Sequence, residues 1–240
     1  MAFTVKLADK VIQVHNIHPE LKEFCKEYLI EEEAPDLSIV ITEDDISFEQ
    51  KQSLEQGYSL PYLETLTLLR KISDVFPSFQ RFLMHGASIS YHNKAYLFTA
   101  PSGTGKSTHI RLWKRYLGDE VKIVNGDKPF ISLEKDTPII YGTPWAGKER
   151  WHRNCSEPLS GICFVQRGTT NSIRRITPEE CLSLVFHQVY IPNDSLTAGL
   201  TLELLDALLQ TVPLYLLQCD MSEDAVRCSF EALTDLPYPN

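Results

Sequence analysis

The stretch Ala100-Pro101-Ser102-Gly103-Thr104-Gly105-Lys106-Ser107 decides how the rest of the chain is interpreted. It matches the pattern G-x-x-x-x-G-K-[ST] at every fixed position except the first, where alanine replaces glycine. An apolar run at residues 95–99 predicts a strand before it, and apolar residues at helical spacing predict a helix from residue 106 to 117 after it. A loop between such a strand and helix binds phosphate well, because backbone N–H groups and the positive helix end point at one place.

Each residue type in this loop has its own expected task. The predicted nucleotide-binding residues are Ser102, Gly103, Thr104, Gly105, Lys106, Ser107 and Thr108. The two glycines permit backbone conformations and a close approach that a side chain blocks. Lys106 is expected to neutralise charge on the β- and γ-phosphates, and Ser107 to place its hydroxyl oxygen on Mg²⁺. ATP or another nucleoside triphosphate and Mg²⁺ are therefore the predicted cofactors, and a glycine-rich turn without a ligand is the alternative.

Asp127 is the predicted second protein ligand of the magnesium ion. Magnesium in such sites takes a carboxylate besides phosphate oxygens, and Asp127 follows a buried-type strand at residues 121–124 and the turn Asn125-Gly126. The β-loop-α-β connection is expected to bring it beside the loop. An ordinary turn-forming aspartate is the alternative.

Composition and charge limit the possible partners. The chain has 240 residues, 43% hydrophobic and 23% charged, and a net charge of −9, which argues against a nucleic-acid partner. Residues 1–80 hold 15 acidic and 7 basic side chains, whereas residues 106–175 hold 7 acidic and 13 basic ones. A basic central segment suits a site that handles phosphate, although solvated surface charge is the ordinary explanation for single residues.

The sequence also indicates a compartment. It contains neither a stretch of about 18 uncharged apolar residues nor a signal-peptide pattern, so we expect a cytoplasmic protein without a membrane partner. Six cysteines without a CxxC pair fit reduced thiols. His152 and Cys155 have the spacing of zinc ligands, but no second pair follows them.

The pattern along the chain predicts two modules. Residues 1–80 form an α+β module, with a helix opened by Pro19 through residue 29, an acidic turn at 43–45 and a helix at 48–56. Residues 81–240 form the catalytic domain, in which a hairpin at 130–141 makes the sheet mixed and not all-parallel. A nearly all-apolar helix at 195–210 is expected to lie buried in the core.

A second candidate segment spans residues 142–155. Lys148, Arg150 and Arg153 lie there between Trp145 and Trp151, with Glu149 as an available ionic partner. Cations aimed at a transferring phosphoryl group are what such chemistry needs. The alternative is a solvated basic loop held by its tryptophans, and His152 is expected to be structural.

Three motifs together resemble a known family. The runs Met84-His85-Gly86-Ala87, Ser102-Gly103-Thr104-Gly105-Lys106-Ser107 and Asn125-Gly126-Asp127 are similar to the catalytic domain of HPr serine kinase/phosphorylase. The loop also resembles that of ATP-dependent phosphoenolpyruvate carboxykinases, which share the fold. The resemblance covers about residues 81–240, and the run at residues 142–149 looks like small stand-alone HPr-kinase-like bacterial proteins, some of them linked to peptide modification.

The resemblance implies a fold and a set of roles. The implied fold is α/β (α+β), a P-loop kinase domain with a mixed sheet plus the small α+β N-terminal module. It implies that His85 lies near the reacting phosphate, that Lys106 and Ser107 hold nucleotide and magnesium, and that Asp127 faces the metal or the acceptor hydroxyl. The catalytic candidates are then His85, Asp127, Lys148 and Arg150, and the metal candidates Ser107 and Asp127. The family carries paired aspartates where this chain has Gly126-Asp127.

The leading functional hypothesis is an ATP/Mg-dependent phosphoryltransferase, a kinase that acts on a hydroxyl of a peptide or protein serine or of a small molecule. The acceptor is expected to be neutral or anionic and to enter between the phosphate loop and residues 142–155. A nucleotide-binding regulatory protein with little turnover is the first alternative, and Gly126 in place of an aspartate favours it. A phosphoenolpyruvate carboxykinase-like enzyme ranks last, because those enzymes are much longer.

Overall fold

A computed structural model describes residues 1–31, 33–52 and 57–239. The chain is a mixed α/β structure whose first sheet has the order β1-β2-β3, with an antiparallel and then a parallel pair. Its strands are β1 (Ala2–Leu7), β2 (Lys10–His15) and β3 (Leu37–Val40). The helices of this part are α1 (Glu20–Phe24), α2 (Glu43–Gln52) and α3 (Leu60–Val75).

The second sheet carries the phosphate loop. Its strands are β4 (Arg81–Leu83), β5 (Ala87–Tyr91), β6 (Lys94–Thr99), β7 (Val121–Asn125), β8 (Phe130–Ser132), β9 (Ile139–Tyr141), β10 (Ser156–Arg167), β11 (Ser172–Arg175) and β12 (Leu214–Cys219). The accompanying helices are α4 (Lys106–Leu117), α5 (Pro178–Val185), α6 (Ser195–Thr211) and α7 (Glu223–Thr234). Among the described strands the order is β4-β8-β9-β10-β6-β5-β7, with β12 beside β10 and β11 beside β12. Strand β10 is parallel to β6 and β12, while the other pairs are antiparallel, so the predicted mixed sheet is confirmed.

Strand β10 joins the two halves of this sheet. Its first residues, Ser156 to Pro158, pair antiparallel with β9, and its later residues pair parallel with both β6 and β12. Residues 161–165 are all buried, as expected for an apolar strand with parallel neighbours on both sides. The carboxyl ends of β6 and β10 therefore meet at one edge of the sheet, where the phosphate loop begins.

Two predicted helices differ in extent from the observed ones. The helix expected through residue 29 ends at Phe24 and continues as a short 3-10 turn, Lys26–Tyr28, which buries Tyr28. The acidic turn at residues 43–45 is the first turn of α2, where carboxylates are favoured by the helix dipole. The predicted end of that helix, residues 53–56, lies outside the described residues.

The expectation that helix α6 lies buried in the core is met on one of its faces only. Leu205, Leu208 and Leu209 pack in the core, but Leu196 is 70% and Leu202 42% exposed. Sequence alone did not show this, because leucine occupies both faces and periodicity cannot tell them apart. None of the described helices combines the length and the apolar character needed to cross a bilayer.

Contacts cross the predicted module boundary at residue 80. The buried Arg81 donates from Nε to the Ala8 carbonyl at 2.6 Å and from Nη2 to Glu134 at 2.7 Å. One apolar cluster combines side chains of β1, β2 and α3 with Phe130 and Trp145. The division into 1–80 and 81–240 stays a prediction, and any test of it must account for this shared core.

Candidate functional site

The phosphate loop connects the end of β6 to the start of α4. Gly103 and Gly105 have φ values of 79° and 123°, which L side chains rarely adopt. A Cβ placed on either glycine meets nothing within 4 Å, so the space in front of the loop is open. Ala100 is not among the residues with positive φ, so alanine fits the first position of the motif without strain.

Lys106 is buried at the base of the loop. Its side chain is part of a residue only 6% exposed, and Nζ donates hydrogen bonds to the carbonyls of Ala100 at 2.8 Å and Pro101 at 3.4 Å. Burial lowers the pKa of Lys106, and the charge of nearby Asp127 opposes that shift. The ammonium is thus held by the loop's own backbone, while Ser107 and Thr108 are half-buried beside it.

The strand order that positions Asp127 differs from the predicted one. Strand β5 lies between β6 and β7, so the strand that carries Asp127 is not the direct neighbour of the loop strand, as the β-loop-α-β pattern suggested. His85 and Gly86, the two residues before β5, contact Asp127 instead. Nε2 of His85 lies 3.2 Å from Oδ1 of Asp127, and the Gly86 N–H donates to the Asp127 carbonyl at 2.8 Å.

Asn125 fixes the turn that presents Asp127. Its fully buried side-chain oxygen accepts from the N–H groups of Asp127 at 2.8 Å and Lys128 at 2.7 Å. Its amide nitrogen donates to the carbonyl of Thr143 at 2.9 Å. The sequence marked Asn125 as a turn residue, but its link to Thr143 joins segments that no local pattern relates.

The surroundings of Asp127 favour its charged form. Burial is the largest single influence and acts to raise the pKa of the Asp127 carboxyl. The hydrogen bond and charge of His85, followed by the charges of Lys128 and Lys106, outweigh burial, so the pKa lies below its ordinary value. The carboxylate is therefore ionised at neutral pH and can accept a hydrogen bond or ligate a cation.

Gln188 holds His85 from the opposite side. Its side-chain Oε1 lies 2.9 Å from Nδ1 of His85, and its carbonyl accepts the His85 backbone N–H at 2.6 Å. Because Oε1 of Gln188 is an acceptor, it takes a proton from Nδ1, and His85 can donate to both Gln188 and Asp127 only when both ring nitrogens carry N–H groups. Sequence analysis did not single out Gln188, which lies in the 3-10 turn Phe186–Gln188 after α5.

The segment at residues 142–155 is anchored at both ends. The buried Trp145 donates from Nε1 to the Thr65 carbonyl at 2.9 Å, and the Arg153 N–H donates to the Val124 carbonyl at 3.1 Å. A Cβ on Gly142 would lie 1.8 Å from the Arg153 carbonyl oxygen, so only glycine fits there. His152 stacks on Tyr28, with ring centroids 5.9 Å apart, in a packing contact.

This segment lies directly against Asp127. A Cβ on Gly147, whose φ is 73°, would lie 3.2 Å from Cβ of Asp127. A Cβ on Gly126 would lie 2.8 Å from the Ala146 carbonyl oxygen, a distance that real side chains do not show. Glycine at residue 126 is therefore a packing requirement of this segment, and a second carboxylate cannot be accommodated without moving its backbone.

The candidate cations of the segment lie at its exposed tip. Lys148, Glu149 and Arg150 are all exposed, and Arg150 has a φ of 54° in a turn closed by its N–H and the Gly147 carbonyl at 3.3 Å. In the part of the chain that the structure describes, none of the three forms an ion pair, so the suggested pairing of Glu149 with these cations is absent.

A cavity of about 560 Å³ adjoins the first half of the phosphate loop. Its floor is loop residues 99–104, and its walls include Phe164 and Val165 from β10 and Leu184 from α5. Arg167 closes one side, where it donates to the carbonyls of Gly103 and, at 3.1 Å, Thr104. The sequence did not predict this cavity, because its walls come from three separated segments.

The comparisons with known proteins give a distant structural likeness and no sequence family. No family model matches the chain, and no curated protein matches it. A solved structure, the Hpr(Ser) kinase/phosphatase from Coxiella burnetii, aligns over 53% of this chain and 91% of that chain, with 12% identity and a TM-score of 0.29. A relation this distant carries no argument about activity, so the proposals below depend on the geometry of the site.

Proposed function

We propose that this chain is an ATP/Mg²⁺-dependent phosphoryltransferase that acts on a hydroxyl group. One observation carries the proposal: an open glycine loop with a buried lysine and the His85–Asp127 pair occupy the same edge of the sheet. Lys106 and Asp127 each influence the pKa of the other, which supports a common binding space for both charges. A phosphate-binding loop and an ionised carboxylate held by a histidine are the parts that hydroxyl phosphorylation requires.

The described residues fit a nucleotide with one magnesium ion. The open space before Gly103 and Gly105 lets phosphate approach the backbone N–H groups at the start of α4. No group of three or more His, Cys, Asp and Glu side chains that could hold a metal occurs among the described residues. Magnesium does not need one, since it usually takes one or two protein oxygens and completes its shell with phosphates and water. Ser107 and Asp127 would supply those oxygens.

Lys106, Asp127 and His85 have separate roles in the proposed reaction. The bound nucleotide supplies the phosphoryl group, and magnesium offsets its charge. Lys106 exchanges its bonds to the loop carbonyls for bonds to phosphate oxygens. Oδ1 of Asp127 is engaged by His85, which leaves Oδ2 to accept the proton of the acceptor hydroxyl. His85 acts as a positioning residue, because it orients the carboxylate through Nε2.

A regulatory protein that binds nucleotide with little turnover is the second candidate. The crowding at Gly126 favours it, because the site has room for only one carboxylate where the resembled family has two. The single carboxylate of Asp127 must then serve as magnesium ligand and as proton acceptor at once, while Oδ1 is also engaged by His85. Phosphoryl transfer remains the first choice, since other kinases position the acceptor hydroxyl with one aspartate.

One experiment separates the two candidates. The protein is mixed with γ-labelled MgATP and a pool of hydroxyl-bearing amino acids, serine-containing peptides and small alcohols, and both ADP formation and label transfer are followed. Transfer that Lys106→Ala abolishes and Lys114→Ala, a matched change on the exposed face of α4, leaves intact supports the kinase. Stoichiometric MgATP binding without ADP formation supports the regulator, and no binding at millimolar nucleotide refutes both.

A further inference from the structure

We propose that Arg167 is a positioning residue that holds the tip of the phosphate loop, residues 103–104, in the shape that receives phosphate. It acts through the carbonyl groups of Gly103 and Thr104, to which its guanidinium donates hydrogen bonds. The inference rests on the proposed function, because it assumes that the loop binds the phosphates of a nucleotide. It gives the end of β10 a task that no sequence motif indicated.

The strand register places Arg167 beside the loop. Strand β10 pairs with β6 as far as Phe164 and Thr99, and it then continues to Arg167, whereas the chain after Thr99 enters the loop. On the other side of β10, Arg167 pairs with Cys219 of β12. The backbone of Arg167 is therefore fixed in the sheet, and its long side chain reaches the loop from there.

The tip of the loop has few restraints of its own. Thr104 lies between Gly103 and Gly105, and glycine has more conformational freedom to lose on ordering than any other residue. In the described part of the chain, residues 103 and 104 form one backbone–backbone hydrogen bond, from the Thr104 N–H to the Pro101 carbonyl at 3.3 Å. Arg167 supplies two more bonds, from Nε to the Thr104 carbonyl at 3.1 Å and from Nη2 to the Gly103 carbonyl.

The direction of these bonds bears on phosphate binding. In a trans peptide the carbonyl and the N–H of one unit point in opposite directions. Because the Thr104 carbonyl points at Arg167, the N–H of Gly105 points away from Arg167, and it donates to no other group among the described residues. The first N–H groups of α4 also lack partners within the helix. Arg167 therefore keeps the carbonyls of the tip on one side and leaves the Gly105 N–H available to a phosphate oxygen.

Arg167 and Lys106 both donate to loop carbonyls, but they differ in what they do when phosphate binds. Lys106 lies buried at the base of the loop and bonds to the carbonyls of Ala100 and Pro101. The proposed reaction requires Lys106 to exchange these carbonyls for phosphate oxygens. Arg167 has no carboxylate partner in the part of the chain that the structure describes. Its guanidinium can therefore stay on the loop and keep the tip in shape after Lys106 has turned to the ligand.

The test measures loop order without ligand and phosphate affinity separately. Arg167→Met removes the donors and keeps an unbranched stem, and Arg174→Met is the matched control, because Arg174 is exposed on β11 and bonds to Glu180 instead of the loop. In the ligand-free Arg167→Met protein, the ¹⁵N order parameters of Thr104 and Gly105 should fall from about 0.85 to below about 0.6. Calorimetric titration should show magnesium tripolyphosphate and MgADP bound about tenfold more weakly, since binding must then order about one residue of backbone that wild type already holds. Arg174→Met should match wild type in loop order and stay within about twofold in both affinities.

Other outcomes overturn the inference. Lost affinity with unchanged order parameters means that Arg167 contacts phosphate directly and does not position the loop. Lost order with unchanged affinity means that the shape held by Arg167 is not the one that phosphate needs. Arg167→Gln, which shortens the side chain and removes its charge, repeats the test in case Arg167→Met does not fold. Wild-type protein that binds neither ligand refutes the proposed function itself, whereas the order parameters, measured without ligand, still decide whether Arg167 holds the loop.

Discussion

The indole N–H of Trp145 donates a hydrogen bond of 2.9 Å to the backbone carbonyl of Thr65. Thr65 belongs to α3 in the N-terminal part. Trp145 belongs to the segment at residues 142–155, in which Ala146 and Gly147 lie against Gly126 and Asp127. The N-terminal part therefore helps to fix the segment that packs against Asp127, the candidate catalytic carboxylate. The edge contact between Trp145 and Phe24, with centroids 5.7 Å apart, adds a second support from α1.

Trp145→Phe should disturb this support while keeping an aromatic ring in place. The Thr65 carbonyl, which lies within α3, loses its indole donor at a buried position, so we expect a loss of about 0.5–1.5 kcal/mol in unfolding free energy. Phosphoryl transfer should fall by more than MgADP affinity does, because the segment contacts Asp127 and not the loop. Urea titration and calorimetry measure both quantities. Trp151→Phe, at a half-buried position, is the control, and equal behaviour of the two variants would show that the indole bond has no role.

Lys106→Ala should remove the stabilisation that nucleotide gives to the folded protein. A ligand at a hundred times its Kd stabilises the native state by about 2.7 kcal/mol, which appears as a rise in Tm. Wild type and Lys114→Ala should show that rise with MgATP or MgADP, and Lys106→Ala should show little of it. A folded wild-type protein whose Tm does not move at millimolar nucleotide contradicts the phosphate-loop interpretation.

Asp127→Asn should lower turnover at least about a hundredfold, the low end for a residue that accepts a proton in the reaction. The amide keeps the shape of the carboxylate, so the Asn125 turn and the fold should persist. Steady-state kinetics and circular dichroism test the two halves of this expectation. Rates near the wild-type value would reduce Asp127 to a turn residue.

His85→Asn should raise the pKa of Asp127, because His85 provides the strongest influences that oppose burial. In wild type the depressed pKa gives stability that is present above the unfolded value of about 3.9 and is lost as pH falls through the lower folded value. In the variant that loss should begin at higher pH. The ¹³C chemical shift of the carboxyl group reports the titration directly. Lys128→Gln should produce a smaller rise, and the reverse order would remove His85 from its positioning role.

Replacing both Lys148 and Arg150 with alanine should slow transfer to the acceptor far more than it weakens MgATP binding. Both side chains lie exposed at the tip of a segment that touches Asp127, on the side where the acceptor is expected. Their charge would offset the repulsion between an incoming group and the phosphates. Lys114→Ala combined with Arg115→Ala removes equal charge from the last turn of α4 as a control. Lost nucleotide affinity with unchanged transfer per bound nucleotide would assign these cations to ATP.

Features that depend on neighbours in sequence were predicted well. The loop after β6 and the start of α4 at Lys106 both match, because each follows from local backbone preferences and hydrophobic periodicity. The mixed sheet followed from short connections between antiparallel strands.

Features that depend on distant segments were not predicted. The contact of Gln188 with His85 and that of Asn125 with Thr143 each join parts of the chain that share no pattern. The placement of β5 between β6 and β7 is a choice of topology that hydrophobic periodicity does not encode. The cavity arises only after β10 and α5 have come together beside the loop.

The late position of β10 in the sequence also determines the order in which the sheet can assemble during synthesis. The loop strand β6 leaves the ribosome well before its parallel neighbour β10. Strand β12, which pairs with β10 on its other side, follows later still. At a synthesis rate of about 5–20 residues per second, the edge of β6 that pairs with β10 stays unpaired for several seconds. The hairpin with β5 is available at once, so a nascent intermediate should contain β5 and β6 but lack the wall formed by Phe164 and Val165. This part of the sheet should therefore be completed late in translation, when the final third of the polypeptide has emerged.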